Sequence, residues 1–283
     1  MKFNLSSIAH YPALIRLVLF LLALLLLWLP LAAPIYWLGR DPNSVSILTI
    51  VLLYGEFIFL LRFWGKHVYH QPRLLQQYGL ERTQRNGVEL LIGLATGTIT
   101  VLSLFGLEGW LGWLIWQQPA VFLPQVILEG LIVAIAFGFA EELVFRGWLL
   151  DELQRDYRPR VALWVDAIAF ALLHFIKPLA AILQTLPQFP ALLLLGLTLV
   201  WAKRSRRNRL GLPIGLHSGL VWGYYIINVG NLVQYSGSVP DWITGVNRNP
   251  LSGIMGLLFL GVMAFWMRRR ALIEKASPTL KRY

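Results

Sequence analysis

The sequence predicts an all-α membrane protein, a polytopic bundle of about eight transmembrane helices. Of its 283 residues, 57% are hydrophobic and only 14% are charged, whereas a typical soluble domain has about 25% charged residues. Apolar runs near the roughly 20 residues needed to cross hydrocarbon recur along the whole chain. The alternating pattern of a membrane β-barrel is absent, so helices are the expected way to satisfy the backbone in lipid.

Eight apolar segments are predicted to form these helices. In chain order they cover residues 14–38, 45–64, 88–116, 122–150, 161–176, 188–202, 211–233 and 251–267. The fifth and sixth are short, and Pro178, Pro187 and Pro190 lie around their junction. These prolines favour a bent or re-entrant element, so seven or nine crossings are alternatives to eight.

The domain organisation follows from the same segments. The first segment is expected to be an anchor, because it is too long for a cleaved signal and further spans follow it. Residues 1–120 then hold the N-terminal membrane helices, residues 121–267 the core helices and residues 268–283 a basic tail. All three parts are expected to form one integrated membrane domain.

Basic residues lie mostly on one side of the predicted membrane. Of the 25 Lys and Arg, 21 fall in alternate loops and the termini, and only Arg40, Lys177 and Arg248 fall opposite. The positive-inside rule then places both termini in the cytoplasm, in the cell membrane or an internal membrane of a bacterial-type cell. The net charge of +11 is spread over five separate segments, which argues against nucleic-acid binding. Membrane lipids are expected partners, in particular of the basic run at 203–209.

The fourth segment contains AEELVFRGW at residues 140–148. A charged side chain at mid-bilayer costs about 2.5–3.5 kcal/mol, so these charges need partners or a function. Residues four apart share a helix face, which predicts an ion pair between Glu142 and Arg146. Glu141 faces elsewhere and is free to act on a water molecule. A buried ion network that only holds helices together is the alternative.

Two histidines lie in other apolar segments. In the fifth, Asp166, Phe170 and His174 fall on one helix face, but roughly 12 Å separates the acid from the histidine along a straight helix. We therefore assign no catalytic role to Asp166. The chain has no cysteine, so only His, carboxylate or amide groups could hold a metal. Two histidines and a glutamate form a known zinc ligand set and also a way to position water.

The seventh segment begins with GLPIGLHSG, which places His217 near its start. A proline suits the first turn of a helix, and Gly211, Gly215 and Gly219 permit close approach of a neighbouring backbone.

These blocks carry a resemblance to a known family. Glu141-Glu142-x-x-x-Arg146, Phe170-x-x-x-His174 and then His217 resemble, in order, the motifs of the CPBP family, which includes CAAX proteases and bacteriocin-processing enzymes and is also called Abi. The similar region runs from about residue 120 to residue 265.

The resemblance implies an intramembrane endopeptidase that cleaves a peptide bond in a membrane-associated protein or peptide. It implies Glu141 as general base, Glu142 and Arg146 as the rest of the first motif, and His174 and His217 as holders of a metal or an oxyanion. The expected metal is Zn2+ with Glu141, His174 and His217 as ligands, and a metal-free glutamate mechanism is the alternative.

One position departs from the family pattern. Four residues after His217 the family commonly has Asn or Asp, whereas this chain has Val221, which offers neither a ligand atom nor a hydrogen bond. Ser218 and Tyr224 are candidates for a partial replacement. Asn228 and Asn231 lie 11 and 14 residues after His217, which is too far along a straight helix for either to replace the missing amide. The missing amide favours the rival interpretation, a catalytically inactive scaffold, immunity or assembly protein with the same fold.

Three further features of the sequence concern the last loop and two acids outside the motifs. Residues 249–253, Asn-Pro-Leu-Ser-Gly, are similar to an additional element of some bacterial relatives, but a Pro-initiated helix with a close-packing glycine face explains them. Glu56 and Glu129 are also predicted to lie in the membrane and have no assigned role. Buried acids of this kind make a proton-coupled transporter a third functional class.

Overall fold

The structure, a computed structural model, describes residues 4–276, and this part of the chain is mostly helical. Lys2 and the end of the predicted tail, residues 277–283, lie outside the described residues. The α-helices are numbered in chain order. They are α1 (Ala13–Leu38), α2 (Pro42–His67), α3 (Leu74–Gln77), α4 (Gln84–Trp110), α5 (Leu123–Glu142), α6 (Leu150–Asp156), α7 (Pro159–Leu173), α8 (Leu179–Thr185), α9 (Phe189–Arg204), α10 (Gly211–Val229), α11 (Asp241–Thr244) and α12 (Ile254–Ala276).

Each of the eight predicted segments contains a helix, which confirms the fold class. Within residues 4–276, five helical stretches are long and apolar enough to cross a membrane. They are Ala13–Leu38, Pro42–His67, Gln84–Trp110, Leu123–Asp156 and Leu179–Arg204. The other three predicted spans correspond to α7, α10 and α12, so eight crossings remain a prediction.

Three predicted helices end earlier than expected. The fifth segment was expected to reach residue 176, but α7 ends at Leu173. The third and seventh segments were expected to reach residues 116 and 233, but α4 ends at Trp110 and α10 at Val229. The chain then turns through left-handed residues, Gly112 after α4 and Asn231 after α10. The short strands β1 (Leu114–Trp116) and β2 (Val233–Tyr235) follow and pair antiparallel. Each strand pairs with a segment that is distant in the sequence, so the local hydrophobicity pattern did not predict either strand.

The proline-rich junction and the last helix refine the predicted boundaries. The predicted bent or re-entrant element stays a prediction. Around its prolines, the 3-10 turn Leu186–Gln188 separates α8 from α9 within the helical stretch Leu179–Arg204. The last helix, expected to end at residue 267, continues to Ala276, since lysine, arginine and leucine are good helix formers.

Helix α10 is the centre of the core and packs closely against α4 and α5. A Cβ atom added to Gly97 of α4 or Gly215 of α10 would collide with the backbone of the opposing helix. The predicted close approach along α10 is therefore confirmed. On its other side, Gly138 of α5 leaves room for Ser218. These contacts hold the start of α10, where His217 lies, beside the end of α5.

A second buried cluster joins α1 to α6. Arg16 is only 3% exposed, and its Nε lies 2.9 Å from Oε2 of Glu152 and its Nη1 3.1 Å from Oδ1 of Asp156. The hydroxyl of Tyr69 donates to the same Glu152 carboxylate at 2.7 Å. Burial and the adjacent Glu152 charge raise the pKa of the Tyr69 phenol. The phenol therefore stays protonated and can act as a donor.

Candidate active site

The first motif lies where an α-helix changes to a π-helix. Helix α5 ends with Glu141 and Glu142, and the π-helical stretch Leu143–Leu149 continues without a break into α6. Glu142 is completely buried, whereas the Glu141 side chain is 24% exposed. The predicted ion pair is confirmed, because Nη1 of Arg146 lies 3.0 Å from Oε1 of Glu142. π-Helical turns within α-helices are often found at functional sites.

Arg146 connects three helices from a fully buried position. Its Nη2 donates to the carbonyl of Gly196 on α9 at 3.1 Å, and its Nε lies 3.7 Å from Oδ2 of Asp166 on α7. Lys203 donates from Nζ to the carbonyl of Arg146. Two acids and two bases thus lie together in the core, and Glu142–Arg146 is the closest ion pair among them. Asp166 belongs to this ion cluster, and its 3.7 Å approach to Arg146 supports a structural role.

The ring of Phe170 packs against the guanidinium of Arg146 and against both imidazoles. The guanidinium carbon of Arg146 lies 4.3 Å from the centre of its ring, within the range of a cation–π contact. The ring centres of His174 and His217 lie 4.7 and 6.0 Å away. Because Phe170 is completely buried, it fixes the positions of both imidazoles relative to the ion pair.

His174 follows the last residue of α7. Its Nδ1 lies 2.7 Å from the carbonyl oxygen of Phe170, one turn earlier. A carbonyl can only accept a hydrogen bond, so we assign the proton to Nδ1. The lone pair of Nε2 then remains open on the side away from the helix.

His217 is held in the same way by a different partner. Its Nδ1 lies 2.9 Å from Oε1 of Glu142, the atom that also accepts from Arg146. A carboxylate that pairs with arginine is ionised and accepts, which again places the proton on Nδ1 and leaves Nε2 open. Glu142 thus orients an imidazole, a role that the four-residue spacing alone did not predict.

The two open imidazole nitrogens face the same carboxylate oxygen. Oε2 of Glu141 lies 3.9 Å from Nε2 of His174 and 3.9 Å from Nε2 of His217. This oxygen is buried and has no hydrogen-bond partner within the part of the chain that the structure describes. Three lone-pair donors from α5, the end of α7 and α10 therefore surround one point, and the structure brings the predicted site residues together.

The donor types of this cluster match those of a zinc site, but the spacing is wide. Two ligands of a tetrahedral zinc ion stand roughly 3.3 Å apart when each bond is about 2.0–2.1 Å. Among residues 4–276, no group of three or more His, Cys, Asp or Glu is arranged closely enough to hold a metal ion. The Glu141 oxygen would have to approach each imidazole nitrogen by roughly half an ångström to reach such a spacing.

The cluster opens into a cavity of about 330 Å³. Glu141, His174 and His217 line it together with mainly apolar side chains from α4, α9, α10 and α12. Pockets of this kind, apolar with a few convergent polar groups, are typical of binding sites. The cavity can hold an apolar group next to the carboxylate and the imidazoles.

Val221, the residue at which the chain departs from the family pattern, lines the cavity and offers no hydrogen bond. Of the two proposed replacements, Ser218 packs against Gly138, whereas Tyr224 lines the cavity but donates its hydroxyl to the carbonyl of Arg248 at 3.3 Å. The two later asparagines line a separate small cavity, in agreement with their predicted distance.

Asn249 is a cavity residue whose position sequence reasoning missed. Its Oδ1 accepts from the backbone of Leu251 at 3.0 Å and caps a 3-10 turn, and a Cβ on Gly256 would collide with Pro250. The close packing of the glycines is thus confirmed, but Pro250 begins the 3-10 turn Pro250–Ser252 and not α12, which starts at Ile254. Asn249 also lines the cavity. Asn249 lies 32 residues after His217 in the sequence, so no local spacing pattern could link the two residues.

The two unassigned acids stand apart from this cluster. Glu129 is exposed and accepts a hydrogen bond from Gln125 on its own helix at 2.8 Å, so it pairs within α5 and not with another span. Neither Glu129 nor Glu56 lines the cavity.

Comparison with protein families supports the assignment of the motifs. The chain matches the family model Rce1-like, described as type II CAAX prenyl endopeptidase Rce1-like, over residues 123–223. This segment contains all of the predicted site residues and confirms the resemblance to the CAAX protease family. That family consists of proteases, so the match supports a membrane peptidase at the general level. No curated protein and no solved structure matches the chain.

Proposed function

We propose that this protein is an intramembrane endopeptidase in which Glu141 activates a water molecule for attack on a peptide bond. The observation that carries the proposal is the arrangement of Glu141 Oε2 opposite the Nε2 atoms of His174 and His217, 3.9 Å from each. These groups lie at one wall of an apolar cavity, where a peptide carbonyl can meet the water away from bulk solvent.

The proposed chemistry uses the assigned protonation of the imidazoles. The open Nε2 of His174 or His217 accepts one hydrogen bond from the water, and Glu141 accepts the other. Glu141 removes a proton as the water oxygen bonds to the carbonyl carbon, and then delivers a proton to the amine nitrogen as the carbon–nitrogen bond breaks. The products are a carboxylic acid and an amine, so one water is consumed for each bond cleaved.

Asn249 is our candidate for stabilising the oxyanion in place of the missing amide at position 221. Its Oδ1 is engaged by the backbone N–H of Leu251, so the amide N–H groups are the part of the side chain left to donate. A donor aimed at a developing oxyanion contributes about 10²–10³ in rate. The side chain lines the same cavity as Glu141.

The proposal has a zinc-bound and a metal-free version, and zinc would be held by Glu141, His174 and His217 through the same lone pairs that contact the water when no metal is present. When bound, it would supply Lewis-acid activation of the water. We expect about one zinc per chain in the purified protein and its loss in His174→Ala and in His217→Ala, as measured by elemental mass spectrometry. A metal-free wild-type protein that still cleaves peptides would contradict this part and favour the metal-free glutamate mechanism.

The substrate class follows from the cavity walls. Because they are mainly apolar, we propose a membrane-associated protein or peptide that places an apolar group beside the scissile bond. The family description names prenylated CAAX proteins as substrates of that family. A prenylated C-terminal peptide is therefore one candidate, and an apolar membrane peptide is the other.

The test compares membrane proteomes of cells that carry the wild-type protein or Glu141→Gln. We expect an uncut precursor to accumulate only with Glu141→Gln, since the amide cannot accept a proton from water. The matched control is Glu129→Gln, the same substitution on the same helix at an exposed acid outside the cavity, and it should behave as wild type. Identical proteomes for both variants, together with an intact complex with a partner protein, would instead support the inactive scaffold.

A further inference from the structure

A basic groove lies at the opposite side of α9 from the catalytic cluster. The start of α7, the end of α9 and the last turns of α12 enclose a space of about 520 Å³. Among the described residues, four cations line it, namely Arg160, Arg204, Arg268 and Lys275, and no acidic residue does. The helix ends that form it all carry residues predicted to lie on the cytoplasmic face.

The cations of this groove have no ion-pair partner within the described protein, and Arg204 interacts with Asp166 only at longer range. Neighbouring cations have acidic partners, since Arg207 pairs with Glu274 at 3.0 Å and Arg209 pairs with Glu89. None of the four groove cations forms an ion pair with any residue between positions 4 and 276. Like charges that converge without a counter-charge repel each other, so an anionic ligand is the expected partner.

Arg204 is held in position to face such a ligand. Its Nη2 donates to the carbonyl of Pro159 at 2.7 Å, which ties the end of α9 to the start of α7. The remaining guanidinium donors form a planar set that suits two oxygens of a phosphate group.

The walls of the groove are apolar and aromatic. Leu163 and Leu197 are buried, while Trp164 is 44% exposed and Leu272 is 57% exposed. Tryptophan is enriched at the level of lipid headgroups, where one edge of the ring meets water and the other meets acyl chains. A ligand with both a phosphate and an acyl chain complements this surface, whereas a free phosphate leaves the apolar walls unused.

We infer that this groove binds an anionic phospholipid, with its phosphate among the four cations and an acyl chain against Trp164 and the leucines. Basic pockets between membrane helices on the cytoplasmic side are known to take such headgroups. Because α12 contributes two of the four cations, the bound lipid holds the end of α12 against α7 and α9. This inference depends on the membrane arrangement of the helices and not on the proposed peptidase activity.

The test uses the full chain in a nonionic detergent, with phosphatidylglycerol or phosphatidylcholine added in steps. Binding to the folded state raises the thermal midpoint, so phosphatidylglycerol should raise it and phosphatidylcholine should not. The groove variant Arg268→Gln/Lys275→Gln should bind phosphatidylglycerol about 30-fold more weakly. The control Arg269→Gln/Arg270→Gln removes two charges from the same helix outside the groove, and it should retain wild-type binding.

Two results would overturn the inference. Equal weakening in both double variants would show a general attraction of the basic helix to anionic surfaces and no defined site. Inorganic phosphate that gives the same thermal shift as phosphatidylglycerol would identify a site for a free anion. Circular dichroism of both variants at low temperature checks that each is folded before lipid is added.

Discussion

Two buried arginines, each beside two carboxylates, differ in what surrounds them. Around Arg16 the network is closed, because the Glu152 carboxylate is taken up by Arg16 and Tyr69. Around Arg146 the network is open, because one oxygen of Glu142 and both oxygens of Asp166 have no hydrogen-bond partner among the described residues.

The two clusters also differ in whether they contact a residue of the candidate site. The Arg16 cluster connects α1 to α6 and contributes no residue to the lining of the site cavity, whereas the Arg146 cluster continues through Glu142 to the imidazole of His217. A closed ion network thus stabilises the fold, and an open one can also orient a side chain at a site. The burial of charged groups does not distinguish the two kinds of network, but the hydrogen-bond contacts of their carboxylates do.

The largest expected effect is that of Arg146→Met. Removing one partner of a buried ion pair costs about 3–5 kcal/mol, and here Glu142 and Asp166 would both lose their cation. We expect a large fall in the thermal midpoint and in the yield of folded protein in detergent. Any folded fraction should also lose peptidase activity, because His217 loses its fixed partner.

The control is Arg16→Met, the same substitution in the closed cluster. Arg16 also pairs with a buried carboxylate, Glu152, so the cost of about 3–5 kcal/mol for breaking a buried ion pair applies here too. Only one buried carboxylate loses its cation, however, because Asp156 is 29% exposed and keeps water as a partner. The midpoint should fall less, and activity for each folded molecule should be unchanged. Equal loss of activity in both variants would remove the distinction between the clusters.

A smaller effect is expected from Asn249→Asp. The substituted carboxylate can still cap the 3-10 turn through an oxygen, but it has no N–H to donate. We expect turnover to fall about 10²-fold with little change in the thermal midpoint. The peptide-cleavage rate measures the first and a melting curve the second.

Asn86 provides the comparison for this variant. Its Nδ2 donates to the carbonyl of Glu81, and its Oδ1 accepts from the backbone N–H of Gly211. Asn86→Asp should therefore lower the thermal midpoint and leave turnover unchanged, the opposite of Asn249→Asp. If Asn249→Asp leaves turnover at the wild-type value, another group supplies the oxyanion donor.

The smallest of the three expected effects is that of Glu142→Gln, which keeps an oxygen near Arg146 and His217 but removes the charge. Groups that orient a catalytic or metal-binding histidine typically affect activity about 10–100-fold when replaced. We expect a fall within this range, and a smaller fall in stability than in Arg146→Met. Full activity would mean that the Glu142–His217 contact does not matter for turnover.

The sequence predicted the helices and the local part of the site. Apolar length identified all eight helical segments, and four-residue spacing identified the Glu142–Arg146 pair. The three motifs also identified the residues that meet at the cavity, because each motif lies within one or two helix turns. Helix boundaries after α4 and α10 were wrong, since the strands that follow pair across more than a hundred residues.

What the sequence by itself determined is therefore the set of helices, the polar residues within them and the pairs on one helix face. The fold decided that His217 is held by Glu142, 75 residues away, and that Asp166 faces Arg146. It also decided that Asn249 reaches the cavity and that four cations form one groove. Helix geometry fixes contacts within a few turns, but contacts between helices depend on how close their backbones pack, which only the complete structure specifies.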